Sequence, residues 1–207
     1  KDGNKIKTSK LRKTKEFGGE DKVSTDPNNL KVRTDTKESL VIVFYNILKE
    51  GGNLKPFNPE NFKNNIKIIN SSSNLYNDVD NTIQGYIKTL LSVMENYDSF
   101  ATKSKRKAES IFNNPYSIAL ELYEDYPNAK ANRGELFDSI RSTCSKITNL
   151  PADKWNPGDI YLVNSTPKLP TETDSIVPWN ELFVNEWGST NAPLVSISLK
   201  EEKYQPG

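Results

Sequence analysis

Asp159 stands at the mouth of an apolar run, DIYLV (residues 159–163), directly after the turn residues Asn156-Pro157-Gly158. Lys200 closes a second apolar run, PLVSISLK (residues 193–200), with Ser198 two positions before it. Both runs have the length and the β-branched content of strands, and a period of two puts Ser198 and Lys200 on one face. If the two strands pair, Asp159, Ser198 and Lys200 converge at one spot. A carboxylate, a second oxygen and an ammonium held on adjacent strands meet the needs of phosphodiester hydrolysis. The oxygens hold a hard cation, Mg²⁺ or Mn²⁺, that activates a water, and the lysine offsets charge building on the phosphoryl oxygens. The plainer reading is a turn aspartate and a lysine that snorkels from a strand end.

The sequence narrows the alternatives. It holds no histidine and one cysteine, Cys144. Histidine-dependent triads, zinc hydrolysis and histidine phosphotransfer are therefore excluded for this chain, as are an internal disulfide and a cysteine zinc cluster. Cys144 recurs at four-residue spacing with Leu136 and Ile140, which reads as a buried apolar position. No glycine-rich phosphate loop is present. The formal net charge of +1 rules out a uniformly basic chain, but the charge is uneven. Lys10, Arg12, Lys13 and Lys15 crowd the start, and Lys103, Lys105 and Arg106 form a second basic stretch. Both could lie along DNA phosphates, although a solvated helix face is the commoner meaning of the second. Trp155, Trp179 and Trp187 fall in the last third and read as core. No apolar run approaches a membrane span and no signal-peptide pattern opens the chain, so the reading has no membrane partner and no secretion by a signal peptide.

The elements that must position these residues read as follows. Residues 1–33 lack hydrophobic periodicity and are expected to form an extended basic arm. Residues 34–52 are the clearest helix, with Thr34, Asp35 and Thr36 as candidate caps, an apolar stripe through Leu40, Val43, Phe44 and Ile47, and Gly51-Gly52 as the stop. IKII (residues 66–69) reads as a short strand. Residues 81–113 read as one or two helices with a break near Tyr97–Ser99. Pro115 is expected to start another helix that Pro127 ends, and residues 132–147 form a further one. After Pro151 the texture turns to strand, helix (residues 178–188) and strand. The order predicts one α/β (α+β) domain over residues 34–207, with a helical part at 34–150 and a strand–helix–strand part at 151–202. The chain opens on Lys1 and stops at KYQPG just past a strand-like run, so residues before 1 or beyond 207 are expected to complete a longer protein.

At these positions the sequence resembles the PD-(D/E)xK, or restriction-endonuclease-like, nuclease superfamily. Pro157-Gly158-Asp159 is similar to the family's P-D element with one residue inserted, and Ser198-Leu199-Lys200 to its (D/E)xK element with serine in place of the acid. KWNPGDIYLV, LVSISLK and LRKTKEFGG most resemble the variant carried by phage-encoded and restriction-type proteins. The resemblance implies a mixed sheet flanked by helices, with residues between the first helix and the sheet as a helical insertion. It implies Asp159 and the Leu199 carbonyl as metal ligands, with Glu38 of the first helix joining them. It also implies Lys200 beside the attacking water and DNA as substrate. Because Ser198 is a poorer ligand than a carboxylate, another acid is needed, and Glu38, Glu181 and Glu186 are the candidates. The expected function is a metal-dependent endonuclease, in a host cytoplasm or a phage particle. The alternative is a virion-associated assembly protein that keeps the fold and contacts capsid, portal or packaged DNA. A third reading is a helical interaction domain whose last strands pair with a partner's sheet.

Overall fold

The computed structural model of the chain describes residues 24, 26–72, 74–151, 158–163, 171 and 194–199. It is an α+β arrangement of helices around a small antiparallel sheet. In order come α1 (Thr34–Lys49), α2 (Phe62–Ser71), α3 (Asn81–Met94), α4 (Thr102–Asp125), β1 (Lys130–Asn132), α5 (Glu135–Thr148), β2 (Ile160–Val163) and β3 (Leu194–Ile197), with short 3₁₀ turns at Pro27–Asn29 and Tyr97–Ser99. Most of the basic arm, all three tryptophans, Lys200, Glu181, Glu186 and the expected helix at 178–188 lie outside the described residues.

α1 is the central pillar. Leu40 through Tyr45 and Ile47 are all buried, so the helix is enclosed on every side rather than along one stripe. That run, LVIVFY, is β-branched and would suit a strand. Its burial against α4, α3 and β1 overrides propensity. Each large side chain taken from water contributes about 1.5–3 kcal/mol. Phe44, Phe57, Phe112 and Tyr116 meet ring to ring at 5.1–6.4 Å in the centre of this core. The helix ends as its glycines predict. Gly51 takes φ +81°, the Gly51 amide donates to the Leu48 carbonyl (3.1 Å), and the Gly52 amide donates to the Ile47 carbonyl (2.8 Å). Its start differs from expectation. Arg33 occupies the cap position without a side-chain cap bond, and Asp35 instead pairs with Arg33 at 2.7 Å.

Three sequence expectations are corrected. IKII is helical, inside α2, because Phe62, Ile66 and Ile69 bury at the helical period while Lys67 stays exposed. Pro115 lies within α4 instead of starting a helix. The apolar face runs unbroken through it, from Ala108, Ile111 and Phe112 to Tyr116, Ala119 and Leu122, and burying that face outweighs the hydrogen bond that proline removes. The region read as wholly helical also contains β1, whose three residues carry too little pattern to register. Where the expected extended arm ends, the chain folds back. Ser24 bridges Lys31 in antiparallel fashion, and Leu30 is fully buried.

The sheet has the order β1-β2-β3, every pair antiparallel. β2 is central, with Ile160 opposite Ile197 and Tyr161 opposite Ser196. Ile160 and Leu162 face the main core, and Tyr161 packs with Phe137, Ile140, Cys144 and Leu194 beneath α5. Alternation along β2 therefore divides the sheet's two faces between α1 and α5. Cys144 is buried as expected, and burial pushes its thiol up to about 12. Among the described residues no helix is long and apolar enough to cross a membrane.

Candidate active site

The β2–β3 register carries one step further to set Asp159 opposite Ser198. The Asp159 amide donates to the Ile197 carbonyl at 2.7 Å. In return Asp159 Oδ2 accepts the Leu199 amide at 2.7 Å, and Ser198 Oγ lies 3.5 Å from the same oxygen. Of the three residues expected to converge, Asp159 and Ser198 lie opposite each other through strand pairing, and Lys200 is outside the described residues. The Asp159 Oδ1 atom accepts no hydrogen bond from the described residues, which leaves it open to a ligand.

Glu38 reaches the same place from α1. Its carboxylate pairs with Arg133 at 2.6 Å, and both side chains are mostly buried, 11% and 15% exposed. Burial raises the Glu38 carboxyl from 4.5 to about 7. Arg133 pulls it back down, the charges of Asp159 and Asp35 push it up, and Arg141 lowers it slightly. The charge of Asp159 acts on Glu38 and so joins the two in one electrostatic group, although they stand on different elements and 121 positions apart in the chain.

Two arginines complete the group, and the sequence reading passed over both. Arg133 Nη1 donates to the Asp159 carbonyl at 2.5 Å while its Nη2 holds Glu38, so one guanidinium ties α1 to the start of β2. Arg141 Nη1 lies 3.4 Å from the Gly158 carbonyl. Both guanidiniums stand over the Phe137 ring, at 5.0 and 5.1 Å. Phe137 and Arg141 stand four apart on α5 and share a helix face, whereas Arg133 lies two residues before that helix and is brought in only by the fold. Arg133 is fixed from behind. Its amide donates to the Asp78 carbonyl at 2.8 Å. The neighbouring Asn132 side chain accepts from the Gly134 and Phe137 amides and donates to Asp78, which caps α5.

The donor set is all oxygen: Glu38, Asp159 and Ser198 side chains beside the Leu199 backbone. No group of three or more acidic or cysteine side chains is placed to hold a metal among the described residues. Two carboxylates with a backbone carbonyl nonetheless suit Mg²⁺, which keeps several waters and takes one or two protein carboxylates. Lys103, Lys105 and Arg106 sit on the first turns of α4, Lys105 over the Tyr97 ring at 5.3 Å. None of the three pairs with Glu38 or Asp159 among the described residues. Lys10, Arg12, Lys13, Lys15 and Lys200 lie outside the described residues. No protein-family model matches the chain, and no curated protein or solved structure is significantly similar to it.

Proposed function

We propose that the chain is a DNA-binding phosphodiesterase of the restriction-endonuclease-like type, an endonuclease that works with Mg²⁺ or Mn²⁺. The observation that supports it is the joining of Glu38 and Asp159 into one group with two guanidiniums, from elements that meet only in the folded chain. Glu38, Asp159 and the Leu199 carbonyl would hold the cation. When bound, that ion supplies positive charge to a phosphoryl oxygen and lowers the proton affinity of a water. The chain's own residues do the rest. Glu38, whose carboxyl burial raises, would be held in its ionised form by the cation it helps to bind. Arg141, partly exposed and aimed at the Gly158 carbonyl, offsets charge on the phosphate. Arg133 holds Glu38 and Asp159 in relation to each other. Lys200 is kept in this proposal as the cation that follows Leu199 in the chain.

The test is plasmid cleavage with Mg²⁺ or Mn²⁺, comparing the wild-type chain with Asp159→Asn, Glu38→Gln and Lys200→Ala. Asparagine still accepts the Leu199 amide, so the fold is kept while the metal-binding charge goes. Each variant should lose cleavage by about 100-fold or more. Unchanged cutting by Asp159→Asn would refute the site. A second reading is favoured by the closed Glu38–Arg133 pair and by serine at 198: the same fold kept for binding or particle assembly, without cutting. It is the conclusion if a folded wild-type chain shifts DNA but cuts with neither metal.

A further inference from the structure

A second cationic feature lies at the start of α1. A cleft of about 370 Å³ has a floor of Leu30 and Ile111 and walls that carry Lys31, Arg33, Lys37 and Lys107. Four cations drawn from three places in the chain face one concave space. Arg33 is paired with Asp35, and Lys37 also has a partner within the chain. Lys31 and Lys107 are exposed and have no acidic partner among the described residues. The charges of Lys31 and Lys107 repel each other across the concavity, and low-dielectric walls focus their field outward. A polyanion seated there relieves both effects. Its anchoring is also deliberate in structural terms, because the fully buried Leu30 fixes Lys31 while α4 packed on α1 fixes Lys107 beside Lys37.

We infer that this cleft is a subsite for the phosphodiester backbone of DNA, flanking the Glu38–Asp159 group. Lys37, which lines the cleft, directly precedes Glu38 on α1, so the cleft and the carboxylates share the first turns of that helix on faces about 100° apart. The cleft volume suits a phosphate and its sugar and falls at the small end of ligand sites, roughly 300–1,000 Å³. The basic stretch at 103–107 gains a role through its last member, Lys107, rather than through Lys103, Lys105 or Arg106. The inference rests on the DNA-binding part of the proposed function and not on the cutting part.

The experiment measures binding of a fluorescein-labelled duplex to the full chain, without divalent metal, across salt from about 50 to 200 mM. Wild type is compared with Lys31→Ala/Lys107→Ala and with Lys55→Ala/Lys67→Ala, which removes the same charge from exposed positions elsewhere. Both pairs are exposed, so folding is retained and far-UV circular dichroism checks it. Each phosphate contact contributes about 0.9 to the slope of log K against log salt, so the cleft variant should lose about 1.8. At ~0.1 M salt that is a roughly 60-fold weaker complex, and the control pair should stay within about 3-fold of wild type. Equal slopes for the cleft and control pairs overturn the inference. A wild type that does not bind the duplex overturns it together with the DNA reading. A wild type that binds with the cleft-dependent slope but never cuts supports the cleft and sinks only the nuclease.

Discussion

Replacing Glu38 by glutamine separates burial from ion pairing as the force that sets this carboxyl. Glutamine keeps the shape and an oxygen that accepts from Arg133, and removes only the ability to ionise. In the folded chain the Glu38 carboxyl is raised from 4.5 to about 7, burial being the largest cause. Below about pH 4.5 folded and unfolded chains both hold the proton, and glutamate and glutamine should be nearly equivalent. Between 4.5 and 7 the unfolded chain has released its proton while the folded chain keeps it. Wild-type stability therefore falls as pH rises through this window and is level above it. The full difference corresponds to about 3 kcal/mol without screening. The side chain is 11% exposed and shares its surroundings with two guanidiniums, so on the order of 1–2 kcal/mol is expected. Glu38→Gln should match wild type near pH 4.5 and exceed it by that amount at pH 8. That is roughly 3–6 °C in melting temperature for a chain of this size. Urea unfolding of both proteins, followed by far-UV circular dichroism from pH 4.5 to 8, measures the difference directly. A variant less stable than wild type at pH 8, by more than at pH 4.5, would refute the reasoning. Arg133 would then be the dominant influence and Glu38 an ordinary ionised partner.

The stop of α1 offers an ordered pair of substitutions. Gly51→Ala meets no atom within 4 Å and carries only the strain of φ +81°, about 1 kcal/mol. Gly52→Ala brings its Cβ to 2.9 Å from the Ile47 carbonyl and against the Ile47 side chain, so it should cost more, about 2 kcal/mol. Urea unfolding that ranks them the other way removes this account of the cap. Pro115→Ala restores the missing amide within α4 and should stabilise the chain by about 1–3 kcal/mol. A lower melting temperature would show that the buried ring's packing outweighs the restored hydrogen bond.

Where the sequence was legible, a strong local signal agreed with the tertiary arrangement. The glycine pair after α1 and the apolar run at 160–163 have that character, and both elements formed where expected. IKII misled because a short apolar run serves a strand or a helix equally well. Phe62, four positions upstream of Ile66, decides for the helix. Pro115 misled for the opposite reason: a strong local rule was overridden by a continuous apolar face longer than any window that treats proline as a boundary. β1 was invisible because only three residues pair, and its strand character comes from its partner β2.

The candidate site divides along the same line. Asp159 and Ser198 come together through strand alternation and one register, which a sequence carries. Glu38 could be placed only by resemblance, since no local pattern says which face of an enclosed helix meets the sheet. Arg133 and Arg141 act through the seating of α5 on the Tyr161 face, and Phe137 lies 5.5 Å from Tyr161 at that contact. The consequence concerns the serine. With Ser198 the group balances two carboxylates, Glu38 and Asp159, against two guanidiniums. A third acid at 198, beside Asp159 Oδ2, would add like charge to a group in which Asp159 already raises Glu38. It would raise the Glu38 carboxyl further. The serine therefore leaves a group of two carboxylates, one on the helix and one at the sheet, held between Arg133 and Arg141 without a third acid.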